Sequence, residues 1–228
     1  SLFYGVDNRL QFNLTNQWFN SGNVGIGTAN PGYPLEVVGD IYSSGTIKSD
    51  HYASTNSTAS GDWAVALGDQ TTASGVYSTA LGSGSTASGI SALAVGGNAT
   101  ASGSDSIALG SNTVASGTGS TALGNGTIAS ANYSTALGDN TTASANFSTA
   151  LGRYTTAQSY GSLVIGRYNE ANTAYSSTAW NNTDPLFVIG NGSSSASLSD
   201  AFVVYKDGHI EVTGDITSDG EICIGSGC

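Results

Sequence analysis

The sequence predicts an all-β fold, a parallel β-roll built from stacked coils of fourteen residues. The first observation is a repeat that recurs every fourteen residues without insertion. Its copies begin at Ala59, Ala73, Ala87, Ala101, Ala115, Ala129, Ala143 and Ala157. The second is a glycine at the tenth position of every copy, from Gly68 to Gly166. The third is an abundance of Gly, Ser and Thr, which disfavours helices, in a repeat too short for a helical pair.

Each copy contains one short strand followed by a turn. Positions seven and nine, as at Ile107 and Leu109, are mostly aliphatic, whereas positions six and eight are small. This alternation with period two places the two sets on opposite faces of a strand. The glycine at position ten then turns the chain, in a conformation with positive φ. At about 4.8 Å per coil, eight coils predict a rod of roughly 40 Å.

The small residues at positions six and eight predict contacts between chains. One large aliphatic side chain per coil makes a thin core that barely offsets the entropy of ordering fourteen residues. Small side chains let a second surface approach closely, so we expect several rolls to pack around an axis. The candidate interface residues are Ser78, Ala80, Ser106, Ala108, Ser134 and Ala136. The alternative is a lone roll on which these residues are merely exposed.

Two related segments flank the repeats and predict small β modules at both ends. "LEVVGDIYSSGTI" (35–47) and "IEVTGDITSDGEI" (210–222) share eight of thirteen residues. Each alternates apolar and polar residues around Gly turns, as short paired strands do. We therefore divide the chain into an N-terminal module (1–57), the roll (58–172) and a C-terminal module (173–228).

The N-terminal segment adds a strand that is a candidate joint between subunits. Leu10, Phe12 and Leu14 alternate with polar residues in "NRLQFNLTNQWF". Because an open solenoid end exposes unpaired backbone groups, the flanking modules either cap one assembly or join rods end to end into a filament.

The fourteen-residue copies with the pattern "S-x-A-L-G" resemble the head repeats of the YadA-like trimeric autotransporter adhesins, over about 59–172. This resemblance implies that the β-roll is left-handed and assembles as a homotrimer. The flanks "GNVGIGTANPGYPLEVVGDI" (22–41) and "DPLFVIGNG" (184–192) resemble modules of phage tail fibres and of large bacterial surface proteins.

Exposed aromatic residues are the main candidates for ligand contact. Position five holds Trp63, Tyr77, Tyr133 and Phe147. Aromatic rings on a rod can stack on sugars or form an adhesive patch. The alternative, which we favour, is that these rings seal contacts between neighbouring chains.

The two cysteines, Cys223 and Cys228, lie together in "CIGSGC" at the end of the sequence. Their spacing is not that of a zinc site, so a disulfide within one chain or between chains is the expected state. Two free thiols are the alternative.

Composition excludes several function classes. The net charge is −11 with only five basic residues, which speaks against nucleic-acid binding, and no apolar run is long enough for membrane insertion. His51 and His209 are far apart in sequence, and no catalytic set, metal site or cofactor motif is present. We therefore expect no enzyme and no cofactor.

Together these patterns predict a non-enzymatic structural or adhesive rod, extracellular or on a cell surface. Its expected partners are other copies of itself, as a homotrimer or an end-to-end polymer, and a host surface or glycan. The alternative is a receptor-binding tail fibre of a phage or contractile injection system, which would place the chain on a virion.

Overall fold

The computed structural model describes residues 24–26, 32, 35–37, 51–54 and 56–217, and every regular element among them is a β-strand. The chain divides into two compact units, residues 1–48 and residues 49–228. In the first unit, strand β1 (Val24–Ile26) pairs in parallel with strand β2 (Leu35–Val37).

The second unit contains two sheets that run side by side along the repeats. The larger has twelve strands: β3 (His51–Ala53), β5 (Ala64–Asp69), β7 (Thr79–Ser83), β9 (Leu93–Gly97), β11 (Ile107–Ser111), β13 (Thr121–Asn125), β15 (Thr135–Asp139), β17 (Thr149–Arg153), β19 (Leu163–Arg167), β20 (Pro185–Asn191), β21 (Asp200–Tyr205) and β22 (Ile210–Val212). The smaller has eight strands of two residues: β4 (Thr58–Ala59), β6 (Thr72–Ala73), β8 (Thr86–Ala87), β10 (Thr100–Ala101), β12 (Val114–Ala115), β14 (Ile128–Ala129), β16 (Thr142–Ala143) and β18 (Thr156–Ala157).

Successive coils stack in parallel with equivalent positions opposite each other. In the pairing of β11 with β13, Ala108 faces Ala122, Leu109 faces Leu123 and Gly110 faces Gly124. The smaller sheet follows the same offset, since Val114 faces Ile128 across β12 and β14. The predicted parallel β-roll of fourteen-residue coils is therefore confirmed.

The interior of the roll is filled by small side chains. Positions one, six and eight hold residues such as Ala115, Ser106 and Ala108, all with 0% exposure. Position thirteen adds buried threonines, of which Thr127 is one. The large aliphatic residues at positions seven and nine point outwards instead, and Leu123 keeps 40% of its surface exposed.

The assignment of positions six and eight to contacts between chains is therefore wrong. The six residues concerned have no exposed surface in the single chain: Ser78, Ala80, Ser106, Ala108, Ser134 and Ala136. The predicted alternation is present, but its faces are the reverse of those expected. The physical reason is volume, because a coil of fourteen residues encloses a cross-section too narrow for leucine, and interiors must be close-packed.

The glycine at position ten is required by both backbone conformation and space. Its φ lies between 101° and 134° in all eight coils, a region that favours glycine. A Cβ placed on Gly110 would also overlap the carbonyl oxygen of Gly124 in the next coil. Any side chain at this position would push neighbouring coils apart.

The two sheets end in different ways at the last coil. The larger continues into β20, which pairs in parallel with β19 and places Ile189 opposite Ile165, and then turns into the antiparallel strands β21 and β22. The smaller ends on the buried side chain of Asn169. The Thr156 backbone N–H donates to Asn169 Oδ1 at 2.7 Å, and Asn169 Nδ2 donates to the Thr156 carbonyl at 3.0 Å. One amide side chain thus takes the place of a further strand.

Candidate interaction surfaces

The outer face of the larger sheet carries an apolar surface, which we call the outer stripe; it is unbroken at position nine, whereas position seven holds Thr in four of the eight coils. It consists of the aliphatic residues at positions seven and nine: Val65, Leu67, Leu81, Leu93, Val95, Ile107, Leu109, Leu123, Leu137, Leu151, Leu163 and Ile165. Leu67 is 46% exposed and Leu151 40%. Because contiguous apolar surfaces of this kind mark interaction sites, the outer stripe is the first candidate interface.

Position five forms a column of turns along one edge of the roll, which we call the first turn column. Trp63, Tyr77, Tyr133 and Phe147 all lie on it, between 51% and 61% exposed. Each has φ between 56° and 60°, a left-handed conformation that is unusual for bulky residues. The structure therefore places the four predicted aromatic residues on one edge, where a ligand or a neighbouring chain can reach them.

The aromatic residues of the first turn column fall into two pairs of adjacent coils. The rings of Tyr133 and Phe147 stack with centroids 5.2 Å apart and planes 11° apart. Trp63 and Tyr77 occupy the other pair, and three coils with Ser91, Asp105 and Gly119 separate the two. The rings thus form two apolar patches rather than an unbroken ladder.

Position twelve forms a second turn column, also with left-handed backbone. Its φ values lie between 45° and 66°. Six coils place Asn, Gln or Gly here, from Gln70 to Asn140, and Asn56 takes the same conformation just before the first coil. The last two carry Tyr154 and Tyr168, whose rings stack with centroids 4.7 Å apart and planes 7° apart. The second turn column is therefore polar or glycine over most of the roll and aromatic in its last two coils.

A polar cavity of about 120 Å³ lies where the last coil meets β20 and β21. Glu170, Tyr175, Asp200 and Tyr205 contribute to its lining. Burial, helped by the charge of Glu170, raises the pKa of Asp200 to about 6, although the Glu170 N–H donates to this carboxylate at 3.0 Å. Hydroxyl, amide and carboxyl groups therefore line this cavity, among them those of Ser159, Gln158 and Glu170.

The loop between β19 and β20 is held by a buried carboxylate and a lysine. Asp184, 2% exposed, accepts hydrogen bonds from the Ser176 N–H at 2.8 Å and from Asn181 Nδ2 at 2.9 Å. Lys206 Nζ donates to Ser159 Oγ at 2.7 Å and lies 5.1 Å from the centroid of the Trp180 ring. These contacts fix the loop on the end of the roll.

Sequence reasoning missed both Asn169 and the pair of Asp184 and Lys206. A signal for Asn169 was present, because this residue replaces the usual Thr at position thirteen of the last coil. Asp184 and Lys206 lie outside the repeat, where no register indicates which residues meet. Of the other candidates, Leu10, Phe12, Leu14, Cys223 and Cys228 lie outside the described residues.

Two further findings concern the described part of the chain. No group of three or more His, Cys, Asp or Glu side chains there is arranged to hold a metal ion. None of its elements is a helix with the length and apolar character needed to cross a membrane.

The repeats match a known family. The YadA head domain repeat, in a model of two copies, matches six segments: 54–75, 59–85, 87–113, 101–127, 115–141 and 129–155. Residues within 54–155 therefore match the YadA head repeats, and the predicted resemblance is confirmed. This family consists of adhesin-type surface rods that form homotrimers.

No curated protein matches the chain. The tail-fibre alternative stays a prediction, which the gene neighbourhood would test.

Proposed function

We propose that this chain is a non-enzymatic extracellular rod, in which three rolls associate through the outer stripe and present their turn columns to a surface for attachment. The observation that carries the proposal is the inverted distribution of side-chain size. Small residues fill the interior, while leucine, valine and isoleucine remain in contact with solvent on one face. Such a chain gains most by burying that face against other copies of itself.

The size of the outer stripe supports association. Eight coils at about 4.8 Å, with a strand face about 10 Å wide, give a face on the order of 400 Å² per chain. Twelve of its sixteen outward positions are aliphatic, so the apolar area is on the order of 300 Å². This value is comparable to the largest apolar patch on a typical monomer, which is often functional. Burying this apolar area at about 25 cal/mol per Å² would contribute at most about 7 kcal/mol per chain before the entropy of association is subtracted.

The regular register favours cyclic symmetry along the rod. Because every coil presents equivalent positions, as Leu109 and Leu123 do, chains that run parallel around one axis repeat the same contact in each coil. The homotrimers of the YadA head family have such a closed arrangement, so three is the number we propose. Because the outer stripe then supplies the contacts between chains, the exposed aromatic patches of the first turn column are assigned to attachment rather than to the chain contacts that the sequence favoured.

Two substitutions of similar exposure test the assembly. Leu123 on the outer stripe is 40% exposed, and Ile128, five residues later on the smaller sheet, is 39% exposed. We expect light scattering to give a trimer for the wild type and for Ile128→Asp, but a monomer for Leu123→Asp. The reason is that three carboxylates in a dry interface cannot all be solvated.

The same experiment can contradict the proposal. A monomeric wild type refutes association, and a trimeric Leu123→Asp variant places the interface elsewhere. Attachment is tested with beads that carry the assembled rod, which should bind a cell monolayer better than beads coated with serum albumin. Equal binding by the two kinds of bead would remove the attachment role and leave a purely structural rod.

A further inference from the structure

Two adjacent coils at the C-terminal end of the roll carry the same unusual pair of residues. Positions eleven and twelve hold Arg153 and Tyr154 in one coil, and Arg167 and Tyr168 in the next. The six preceding coils have only small, amide or acidic residues at these two positions: Asp69 and Gln70, Ser83 and Gly84, Gly97 and Asn98, Ser111 and Asn112, Asn125 and Gly126, Asp139 and Asn140. We call the four residues the Arg–Tyr cluster.

The strand register brings the two arginines together. Arg153 lies directly opposite Arg167 in the pairing of β17 with β19, so their backbones are about 4.8 Å apart. The Arg153 guanidinium lies 5.3 Å from the centroid of the Tyr154 ring, which stacks on Tyr168. The Arg153 side chain is 59% exposed. The cluster therefore presents two guanidinium groups beside two phenol rings on the surface.

This arrangement breaks two rules of local stability at one place. Like charges opposite each other on neighbouring strands are destabilising. Tyrosine at φ of 52° (Tyr154) and 45° (Tyr168) is also disfavoured, whereas the Asn and Gly residues of other coils suit this conformation. Sites at which several locally unfavourable features occur together are commonly functional. An anion held between the two arginines would remove the first of these costs.

The cluster is only partly neutralised within the chain. Arg153 Nε lies 3.3 Å from Asp139 Oδ2, and this carboxylate also accepts hydrogen bonds from Asn125 and Asn140. Within residues 56–217, no carboxylate forms an ion pair with Arg167. A guanidinium with free N–H groups matches carboxylate or sulfate oxygens in two parallel hydrogen bonds.

We propose that the Arg–Tyr cluster binds the anionic group of an acidic saccharide. The arginines would hold a sulfate or carboxylate, and the tyrosines would contact the sugar ring and its hydroxyl groups. The net charge of −11 repels dense polyanions, so the fitting ligand is a largely neutral glycan with isolated anionic groups. This inference rests on the proposed attachment function, since it names the class of ligand.

The test uses three sugars with one scaffold: lactose, 3′-sulfolactose and 3′-sialyllactose. We expect calorimetry on the full chain to detect binding of the two charged sugars and none of lactose. Arg153→Gln with Arg167→Gln should weaken binding at least tenfold, and Arg167→Lys should give an intermediate loss because lysine lacks the planar fork. The matched control is Asn98→Asp with Asn112→Asp, which changes net charge by the same two units at the position next to that of the arginines, four coils earlier in the roll. It should bind nearly as the wild type does.

Several outcomes would overturn the inference. Equal binding of lactose, or unchanged binding by the double glutamine variant, removes the anion site. An equal loss in both double variants points to net charge alone. Binding only to vesicles of anionic phospholipid assigns the cluster to a membrane instead. A changed mass of the glutamine variant makes the cluster a contact between chains. Sugar binding is measured on purified protein, independently of the light-scattering and bead experiments. A negative sugar result therefore does not contradict the proposed function, and a negative bead result does not contradict the sugar site.

Discussion

Two serines at the same inward position of adjacent coils provide a matched test of the roll interior. Ser106 and Ser120 both occupy position six with 0% exposure. Ser106 Oγ donates to the Gly103 carbonyl at 2.6 Å. Ser120 Oγ, in contrast, is buried without a hydrogen-bond partner among the described residues. We therefore expect replacement by alanine to have different consequences at the two sites.

The magnitudes follow from what each hydroxyl loses. Ser106→Ala removes one satisfied hydrogen bond, with a net cost of about 0.5–1.5 kcal/mol per chain. Ser120→Ala removes an unpaired polar atom whose burial costs about 1–3 kcal/mol, and the cavity left by one oxygen offsets part of this gain. We expect Ser120→Ala to be neutral or to stabilise the fold by about 1 kcal/mol. The two variants should therefore differ by roughly 1–2 kcal/mol.

The measurement is unfolding in guanidinium chloride, followed by far-ultraviolet circular dichroism. All variants must be compared at one protein concentration, because the stability of an oligomer depends on concentration. Light scattering should show the same mass for both variants, since neither side chain reaches the surface. The account of the interior is refuted if Ser120→Ala costs as much as Ser106→Ala, or if the order of the two is reversed.

Three further predictions concern the interior, the end cavity and the filament. Ala122→Leu adds volume between Ala108 and Ala136 of the adjacent coils and should lower the free energy of unfolding by about 1–3 kcal/mol; a tolerated leucine would contradict the narrow interior. The pKa of Asp200, raised to about 6 mainly by burial, means that the folded chain holds this proton more tightly than the unfolded chain. Its contribution to stability is therefore full below about pH 4 and lost as pH rises through about 6. Asp200→Asn should therefore make the melting temperature less dependent on pH between about pH 4 and pH 6. A variant with the same pH dependence as the wild type would contradict this prediction. Electron microscopy should show fibres of the full-length protein and none after deletion of residues 1–22. Absence of fibres from the full-length protein, or survival of fibres after the deletion, would make the flanking modules caps.

The sequence predicted the repeat geometry because backbone requirements leave a direct trace in residue type. Gly110 must be glycine to adopt positive φ and to let Gly124 approach, so its recurrence marked every turn. The period of fourteen fixed which residues pair across coils, as the match of Leu109 with Leu123 demonstrates. Residue types and their spacing were thus sufficient to predict the roll and the register in which its strands pair.

The sequence did not predict which face of the strand is inside. Alternation at Ile107, Ala108 and Leu109 defines two faces, and the usual rule that larger apolar residues are buried selects the wrong one. The deciding quantity is the cross-section enclosed by a closed coil, which depends on how its two strands and two turns meet. The Arg–Tyr cluster was likewise not predictable from the sequence, because only the fold shows that Tyr154 and Tyr168 have left-handed backbones.

The register between coils also has a consequence for how such a chain can vary. Strands β11, β13, β15 and β17 meet one another through the same five positions in every coil. Loss or duplication of one unit of fourteen residues by recombination between similar stretches of DNA would join two coils that already fit. The rod would become shorter or longer by about 4.8 Å, with all its faces still aligned. The length of the roll can therefore change by inherited gain or loss of whole coils while the fold stays the same.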